Sequence, residues 1–197
     1  MAASKFSPAH TLLIVTVCIM TTGLSGCAGV MLGSAATSAV VANDPRTTGT
    51  VVEDQSIELK AAKVIHDDPE LKDQTNINVT SYNQVVLLTG QSPTASLRKK
   101  AVDLVSTIEK VRKVHDEIVI SAPTSIMSRT NDTVLTTKVK TKLFANDDLN
   151  ATHIKVVSEG GVVYLLGIVP EEDATLAAEI ASTTGGVQKV VKLFEQK

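Results

Sequence analysis

Residue types that catalyse reactions or bind metal ions are few and widely separated in this 197-residue chain. It contains two cysteines and four histidines. His66, His115 and His153 lie far apart, and His10 lies near the N-terminus. No segment has the histidine spacing of a zinc enzyme or the glycine-rich loop of a phosphate-binding site. We therefore interpret the histidines as solvated loop or strand-edge residues, and we predict neither an enzyme nor a cofactor.

Two pairs of adjacent aspartates are the strongest candidates for a cation site. Asp67 and Asp68 follow one predicted helix, and Asp147 and Asp148 follow another. Carboxylate oxygens are the ligands that hard cations prefer. Polar loops between a helix and a strand have the same composition, however. We prefer the loop interpretation and predict no metal site.

Cys27 lies at the end of a segment with the features of an export signal. Lys5 precedes the apolar run TLLIVTVCIM, which is shorter than the roughly 20 apolar residues needed to span a bilayer. Small residues follow this run and end at Cys27. The order Leu-Ser-Gly-Cys resembles the lipobox of bacterial lipoproteins.

This resemblance implies that residues 1–26 are a signal peptide and that Cys27 becomes the lipidated N-terminus. Ala28 follows the cysteine, which in enteric-type sorting implies delivery to the outer membrane. The alternative is an ordinary signal peptide with an incidental cysteine. Cleavage would also remove Cys18, so lipidation of Cys27 would leave no thiol for a disulfide or for catalysis.

The overall composition excludes one class of partner. The chain has 19 lysines and arginines against 21 aspartates and glutamates, so no net positive charge attracts nucleic acid. Aromatic residues make up only 3% of the chain, which predicts a core of Val, Ile, Leu and Ala. We predict no nucleic-acid partner, and an electrostatic partner must bind to a local patch of charge.

Most of the chain consists of two related halves. The segment INVTSYNQVVLLTGQSP (77–93) aligns without a gap with IKVVSEGGVVYLLGIVP (154–170). Upstream, residues 54–71 align with 132–149, and downstream KVRKV aligns with GVQKV. The period exceeds that of solenoid repeats, so the sequence predicts a duplicated domain.

The sequence pattern predicts the same order of helices and strands in each half. Ile57, Ala61 and Ile65 recur every four residues, as on one face of a helix. Two apolar strands follow, separated by Asn-Gln in the first half and Gly-Gly in the second, which predicts a β-hairpin. A proline then precedes a second helical stripe, from Leu97 to Ile108 in the first half. An alternating segment closes the unit as αββαβ, an α+β fold with a three-stranded mixed sheet packed by two helices.

The first-helix stripe, the hairpin ending in LLTG or LLG, the proline after it and the GVQKV segment together resemble the BON domain. This is a bacterial module of osmotic-stress and outer-membrane proteins. With the lipobox and a small-residue tether containing DPRTTG, the chain resembles the dual-BON outer-membrane lipoproteins. The predicted boundaries are 1–26 for the signal peptide, 27–53 for the lipidated N-terminus and tether, 54–121 for BON domain 1, 122–130 for the linker and 131–197 for BON domain 2.

The resemblance implies a lipid-anchored protein on the periplasmic face of the outer membrane, linked to envelope integrity, division sites and anionic phospholipid. In the family, the first helix of the second domain associates with the lipid. The matching residues here are Val134, Leu135, Lys138, Thr141 and Lys142. A step of about 100° per residue places Val134, Lys138 and Thr141 beside the core-facing stripe, which suits a head-group boundary. The alternative is an ordinary amphipathic core helix.

The second helices of the two halves differ in charge. The first half carries a basic face, which consists of Arg98, Lys99, Lys100, Lys110, Arg112 and Lys113. In the second half this helix begins with Glu171, Glu172 and Asp173. The two faces are either solvated, or turned towards each other, or bound to lipid or an acidic partner. An alternative function follows, in which the protein is an adaptor that docks on envelope assembly or division proteins through the basic face.

Overall fold

The computed structural model describes residues 44–122 and 126–196, and for 126–129 it describes the backbone only. The predicted signal peptide, Cys27 and most of the predicted tether lie outside the described residues. No helix in the described part of the chain combines the length and the apolar character needed to cross a bilayer.

The first half of the described chain contains three helices and three strands. In chain order these are α1 (Thr48–Asp67), α2 (Pro69–Gln74), β1 (Asn76–Tyr82), β2 (Val85–Ser92), α3 (Ala95–Ser106) and β3 (Lys113–Ile120). The short α2 was not predicted. It begins with a proline, and the Asp68 side chain accepts hydrogen bonds from the Glu70 and Leu71 amides, which satisfies the first free donors of the helix.

The second half repeats this order, with one turn of 3₁₀-helix in place of α2. Its elements are α4 (Ile126–Phe144), the 3₁₀-helix (Ala151–His153), β4 (Ile154–Glu159), β5 (Val162–Val169), α5 (Glu171–Ser182) and β6 (Lys189–Gln196). Both halves therefore have the predicted order of helix, two strands, helix and strand.

Each half forms a three-stranded mixed sheet. The second of its strands in sequence order is also the central strand of that sheet. β2 is antiparallel to β1 and parallel to β3, and β5 is related to β4 and β6 in the same way. The hairpins turn through two residues with positive φ, Asn83 and Gln84 in one half and Gly160 and Gly161 in the other, as a tight primed turn requires. The predicted α+β fold class is confirmed.

The first helix of each half begins earlier than predicted. α1 includes residues 48–53, which we assigned to the tether. Thr47 caps it by accepting a hydrogen bond from the Thr50 amide, with the two atoms 3.1 Å apart. In the same way, α4 begins at Ile126, within the segment 122–130 predicted as linker.

The helices cover one face of each sheet and form an aliphatic core there. In the first half, the predicted stripe Ile57, Ala61 and Ile65 is buried against Val86 and Leu88 of β2. The predicted stripe of the second helix packs on the same core: Leu97 and Ala101 are buried, and Ile108 packs there from beyond Ser106, where α3 ends. Val105 is also fully buried, which the stripe did not predict. The second core is built in the same way around Leu135, Val139 and Leu143 of α4.

The opposite faces of the two sheets pack against each other. Tyr82 and Leu87 of the first half form one buried cluster with Tyr164 and Leu166 of the second half. The Tyr82 hydroxyl donates to the carbonyl of His153, 3.2 Å away. Because both of its faces are covered, β2 is buried along its whole length. The halves thus meet through their sheets, and not through the oppositely charged helix faces considered from the sequence.

Polar side chains surround this apolar contact. Glu159 accepts from Asn78 (3.0 Å) and from Gln91 (2.7 Å). At another place, Glu195 accepts from Asn83 (2.7 Å) and from Arg112 (2.9 Å). A glutamate of the second half therefore binds two donors of the first half at each of these two places, and this fixes how the sheets are aligned.

Candidate functional site

The lipid-binding prediction concerns α4, whose exposed face carries the predicted residues with one exception. Val134 is 48% exposed, and Lys138, Thr141 and Lys142 are also exposed. Leu135 is only 6% exposed and packs in the core of the second half. Leu135 was therefore wrongly included among the residues predicted to contact lipid.

A residue that the sequence analysis missed lies at the end of the same helix. Phe144 is 60% exposed, although an exposed phenylalanine loses the free energy that burial of its ring would give. At about 100° per residue, Phe144 lies about 80° around the helix from Val134 and nearly three turns further along. The sequence could have indicated an exposed aromatic residue here, because Phe144 directly follows Leu143 and therefore lies off the core-facing stripe.

The exposed face of α4 is basic. Between Thr133 and Phe144 the helix has three lysines and no carboxylate. Lys142 donates to the carbonyl of Thr183, 3.0 Å away. Lys138 and Lys140 form no ion pair with any residue in 44–122 or 130–196, so their charges are available to an external anion.

A groove of about 440 Å³ adjoins this face of α4. Val134, Leu135 and Lys138 form one wall, and the turns Gly160–Gly161 and Gly185–Gly186 form the other. The buried Asp132 lies in the groove and accepts hydrogen bonds from the amides of Gly160 (2.9 Å) and Gly161 (3.0 Å). The groove thus has a small apolar surface, one exposed cation and little side-chain bulk.

The basic face of the first half is largely neutralised by acidic neighbours. Arg98 pairs with Asp116 (2.7 Å) and Lys100 with Asp68 (2.7 Å) and Glu70 (2.8 Å). The hydrogen bonds that Lys100 donates to Asp68 and Glu70 raise its pKa.

The other basic residues of this face are divided between separate contacts. Lys99 pairs with Asp103 of its own helix. Lys110 pairs with Glu53 (2.7 Å), and Arg112 contacts the second half. Lys113 is exposed at the start of β3. The structure therefore does not bring the six residues together as one free cationic patch, and docking through them remains a prediction.

The aspartate pairs and the histidines have structural surroundings. Asp67 pairs with Lys63 (2.6 Å), and Asp68 caps α2 as described above. Asp147 and Asp148 are exposed after α4. Among the described residues no three His, Cys, Asp or Glu side chains are grouped in a way that could hold a metal ion. His115 lies on the strand β3, where burial lowers its pKa.

A buried aspartate near the start of the first helix holds the hairpin turn in both halves. Asp54 accepts from the amides of Asn83 (2.8 Å) and Gln84 (2.7 Å), as Asp132 does from its glycine turn. Asp54 also binds the guanidinium of Arg46, 2.7 Å away.

This geometry, repeated in both halves, agrees with the comparison with known families. The BON domain model matches residues 53–122 and again residues 131–197. The chain therefore belongs to the BON-domain family and contains two copies of the domain.

Three relatives cover most of the chain. It is 41% identical to "Outer membrane lipoprotein DolP" of Haemophilus influenzae, over 87% of this chain and 89% of the relative. It is 39% identical to "21 kDa hemolysin" of Actinobacillus pleuropneumoniae, over 77% of this chain and 78% of the relative. It is 32% identical to "Osmotically-inducible protein Y" of Escherichia coli, over 72% of each chain. The predicted similarity to dual-BON outer-membrane lipoproteins is confirmed.

Proposed function

We propose that this chain is a non-enzymatic lipoprotein of the outer membrane, anchored through Cys27 on the periplasmic face. It contacts anionic phospholipid through the exposed face of α4 and supports the integrity of the envelope, including at division sites. The lipobox-like segment before Cys27 and the 41% identity to an outer membrane lipoprotein support the anchor and the location.

The observation that carries the lipid contact is the combination of apolar and cationic residues on one exposed helix face. Val134 and Phe144 are exposed apolar residues, and Lys138 and Lys140 have no ion-pair partner in the part of the chain that the structure describes. Such a helix lies in the boundary between head groups and acyl chains.

The strength of this contact is modest. A lysine near an anionic membrane surface contributes about 1 kcal/mol, so the two lysines together contribute about 2 kcal/mol. Acyl chains on Cys27 would already hold the protein at the membrane. The contact through α4 then determines the orientation of the domains and their preference for anionic lipid, rather than membrane residence itself.

Vesicle flotation of an unlipidated chain tests this proposal. The chain starts at residue 27 with Cys27→Ser and is mixed with vesicles of neutral or anionic phospholipid. We expect it to float with anionic vesicles only, and we expect Lys138→Glu with Lys140→Glu to abolish this flotation. Phe144→Ser should weaken flotation without changing its dependence on anionic lipid.

The matched control reverses two lysines on the basic face of the first domain. Lys99→Glu with Lys113→Glu changes the net charge by the same amount as the α4 variant. It should leave flotation unchanged. If both double variants lose flotation equally, overall charge is responsible and the assignment to α4 is wrong.

A further inference from the structure

The strand β1 lies at an edge of the first sheet and leaves part of its backbone without partners. Across a two-residue hairpin turn, the flanking residues Tyr82 and Val85 form a hydrogen-bonded pair. Since hydrogen bonding alternates along an antiparallel pair, the backbone groups of Ile77, Val79 and Ser81 point away from β2. These three residues therefore form the outward edge of the sheet.

The partners of Ser81 show where this edge is covered. The amide of Ser81 donates to Glu58, 2.8 Å away, and its carbonyl accepts from Lys155 of the second domain, 3.1 Å away. No residue in 44–122 or 130–196 binds the outward amides and carbonyls of Ile77 and Val79 in this way. The interface between the domains thus covers the edge as far as Ser81 and leaves the next two outward positions open.

An apolar groove of about 470 Å³ runs beside this open edge. It lies between β1 and α1, and Leu59, Ala62, Ile77 and Val79 provide most of its apolar surface. Leu59 is 73% exposed. An exposed leucine beside an uncovered strand is unusual, because edges are generally protected by lysine, proline or a bulge.

The second domain has polar residues at the corresponding positions of its first helix. The residues that match Leu59 and Ala62 in the repeat are Thr137 and Lys140. The two domains share a fold, so the apolar character of the groove in the first domain is not required by the fold.

We propose that this groove binds an extended, uncharged segment of a partner protein, which adds to the first sheet as a strand beside β1. Main-chain hydrogen bonds to Ile77 and Val79 provide affinity, and an apolar side chain of the segment packs on Leu59 and Ala62. The charge of the groove favours an uncharged segment, since its one carboxylate, Glu58, is already paired with Lys155 at 2.8 Å. The bound strand continues the interface that ends at Ser81.

This inference goes beyond the proposed lipid contact, which involves the other domain and a different helix. The probe is a phage-displayed library of random heptapeptides, selected on the chain that starts at residue 27 with Cys27→Ser. A variant with Leu59→Thr and Ala62→Lys carries the residues that the second domain has at these positions. It is used for counter-selection, to remove peptides that bind elsewhere. Both changed side chains are exposed, and circular dichroism checks that the variant is folded.

We expect the selected peptides to have apolar residues at alternate positions and to protect the amides of Ile77 and Val79 from hydrogen exchange. Their affinity for the Leu59→Thr, Ala62→Lys variant should be weaker by about tenfold or more. The same kinds of change at exposed residues outside the groove, Val119→Thr with Ala145→Lys, are the matched control and should leave affinity unchanged.

Three results would overturn the proposal. One is a selection that yields no peptide. Another is a selected peptide that protects a different strand or binds the counter-selected variant equally well. The third is protection of Ile77 and Val79 without peptide that increases with protein concentration, which would identify a second copy of this chain as the occupant.

Discussion

Arg46 is the residue whose contacts fix the start of the described chain. Its guanidinium donates to Asp44 at 2.7 Å and to Asp54 at 2.7 Å, and it lies over the ring of Tyr82 with 3.9 Å to the centroid. The side chain is only 11% exposed. These contacts join the DPR motif, the buried aspartate of the hairpin turn and a tyrosine of the domain interface.

Arg46→Ala is expected to destabilise the protein by about 2 kcal/mol, because it removes charge-assisted hydrogen bonds and leaves the buried Asp54 without a cation. Urea unfolding of the wild type and the variant measures this difference. Lys63→Ala is the control, because both side chains of the Lys63–Asp67 ion pair are exposed. This change should leave the urea concentration at the midpoint of unfolding unchanged. Equal effects of the two changes would contradict the role assigned to Arg46.

At the scale of elements, the close approach of neighbouring strands requires glycine at one position of each central strand. Gly90 has a φ of +110°, and a β-carbon there would lie 2.0 Å from the carbonyl oxygen of Asn76. At the matching Gly167, a β-carbon would lie 2.5 Å from the carbonyl oxygen of His153. In both cases the obstacle is backbone, which cannot move without disturbing the strand pair.

Gly90→Ala should therefore destabilise the protein by about 2 kcal/mol or more, through positive-φ strain and displacement of β1. Thermal unfolding followed by circular dichroism measures the loss. Gly185→Ala is a suitable comparison, because a β-carbon at Gly185 meets no atom within 4 Å. A Gly90→Ala protein as stable as the Gly185→Ala protein would show that the sheet adjusts freely.

At the scale of the whole molecule, the only two tyrosines of the chain report on the contact between the sheets. Burial raises the pKa of Tyr82 to about 12 and that of Tyr164 to about 12. Since the folded pKa lies above the ordinary value of about 10, this contribution to stability is present below pH 10. It is lost as the pH rises towards 12.

Absorbance titration of tyrosinate should show no ionisation of either tyrosine near pH 10 in the folded protein, and ionisation near pH 10 in urea. Leu166→Asp places a carboxylate in the buried cluster and should separate the sheets, so that both tyrosines ionise near pH 10 while the secondary structure is retained. Val119→Asp, at a residue that is 57% exposed, should leave the titration unchanged. Unchanged titration in the Leu166→Asp protein would mean that the tyrosines are shielded by other contacts.

The elements that were predicted well depend on local patterns. The stripe of Ile57, Ala61 and Ile65 and the two-residue turns are encoded by residues a few positions apart, so the helices and hairpins follow from the sequence. The start of α1 was missed because Thr47 acts as a cap only once the helix exists, and Gly49 in the first turn favours a loop in isolation.

The candidate lipid site was predicted only in part for a similar reason. Helical periodicity places Val134 and Lys138 outside the core, and the structure agrees. Periodicity does not show which lysines are neutralised, because that depends on carboxylates distant in the chain. Lys110, for example, pairs with Glu53, 57 residues away.

The sequence by itself determined the duplication, the order of elements in each copy and the aliphatic stripe that each first helix buries. These follow from periodicity and turn chemistry, which act over a few residues. Only the tertiary structure decided that the two sheets pack face to face, that Leu135 is core and Phe144 is surface, and that the edge of β1 is open beside Leu59. The physical reason is that burial and charge pairing depend on which distant residues come into contact, and a repeat pattern does not specify those contacts.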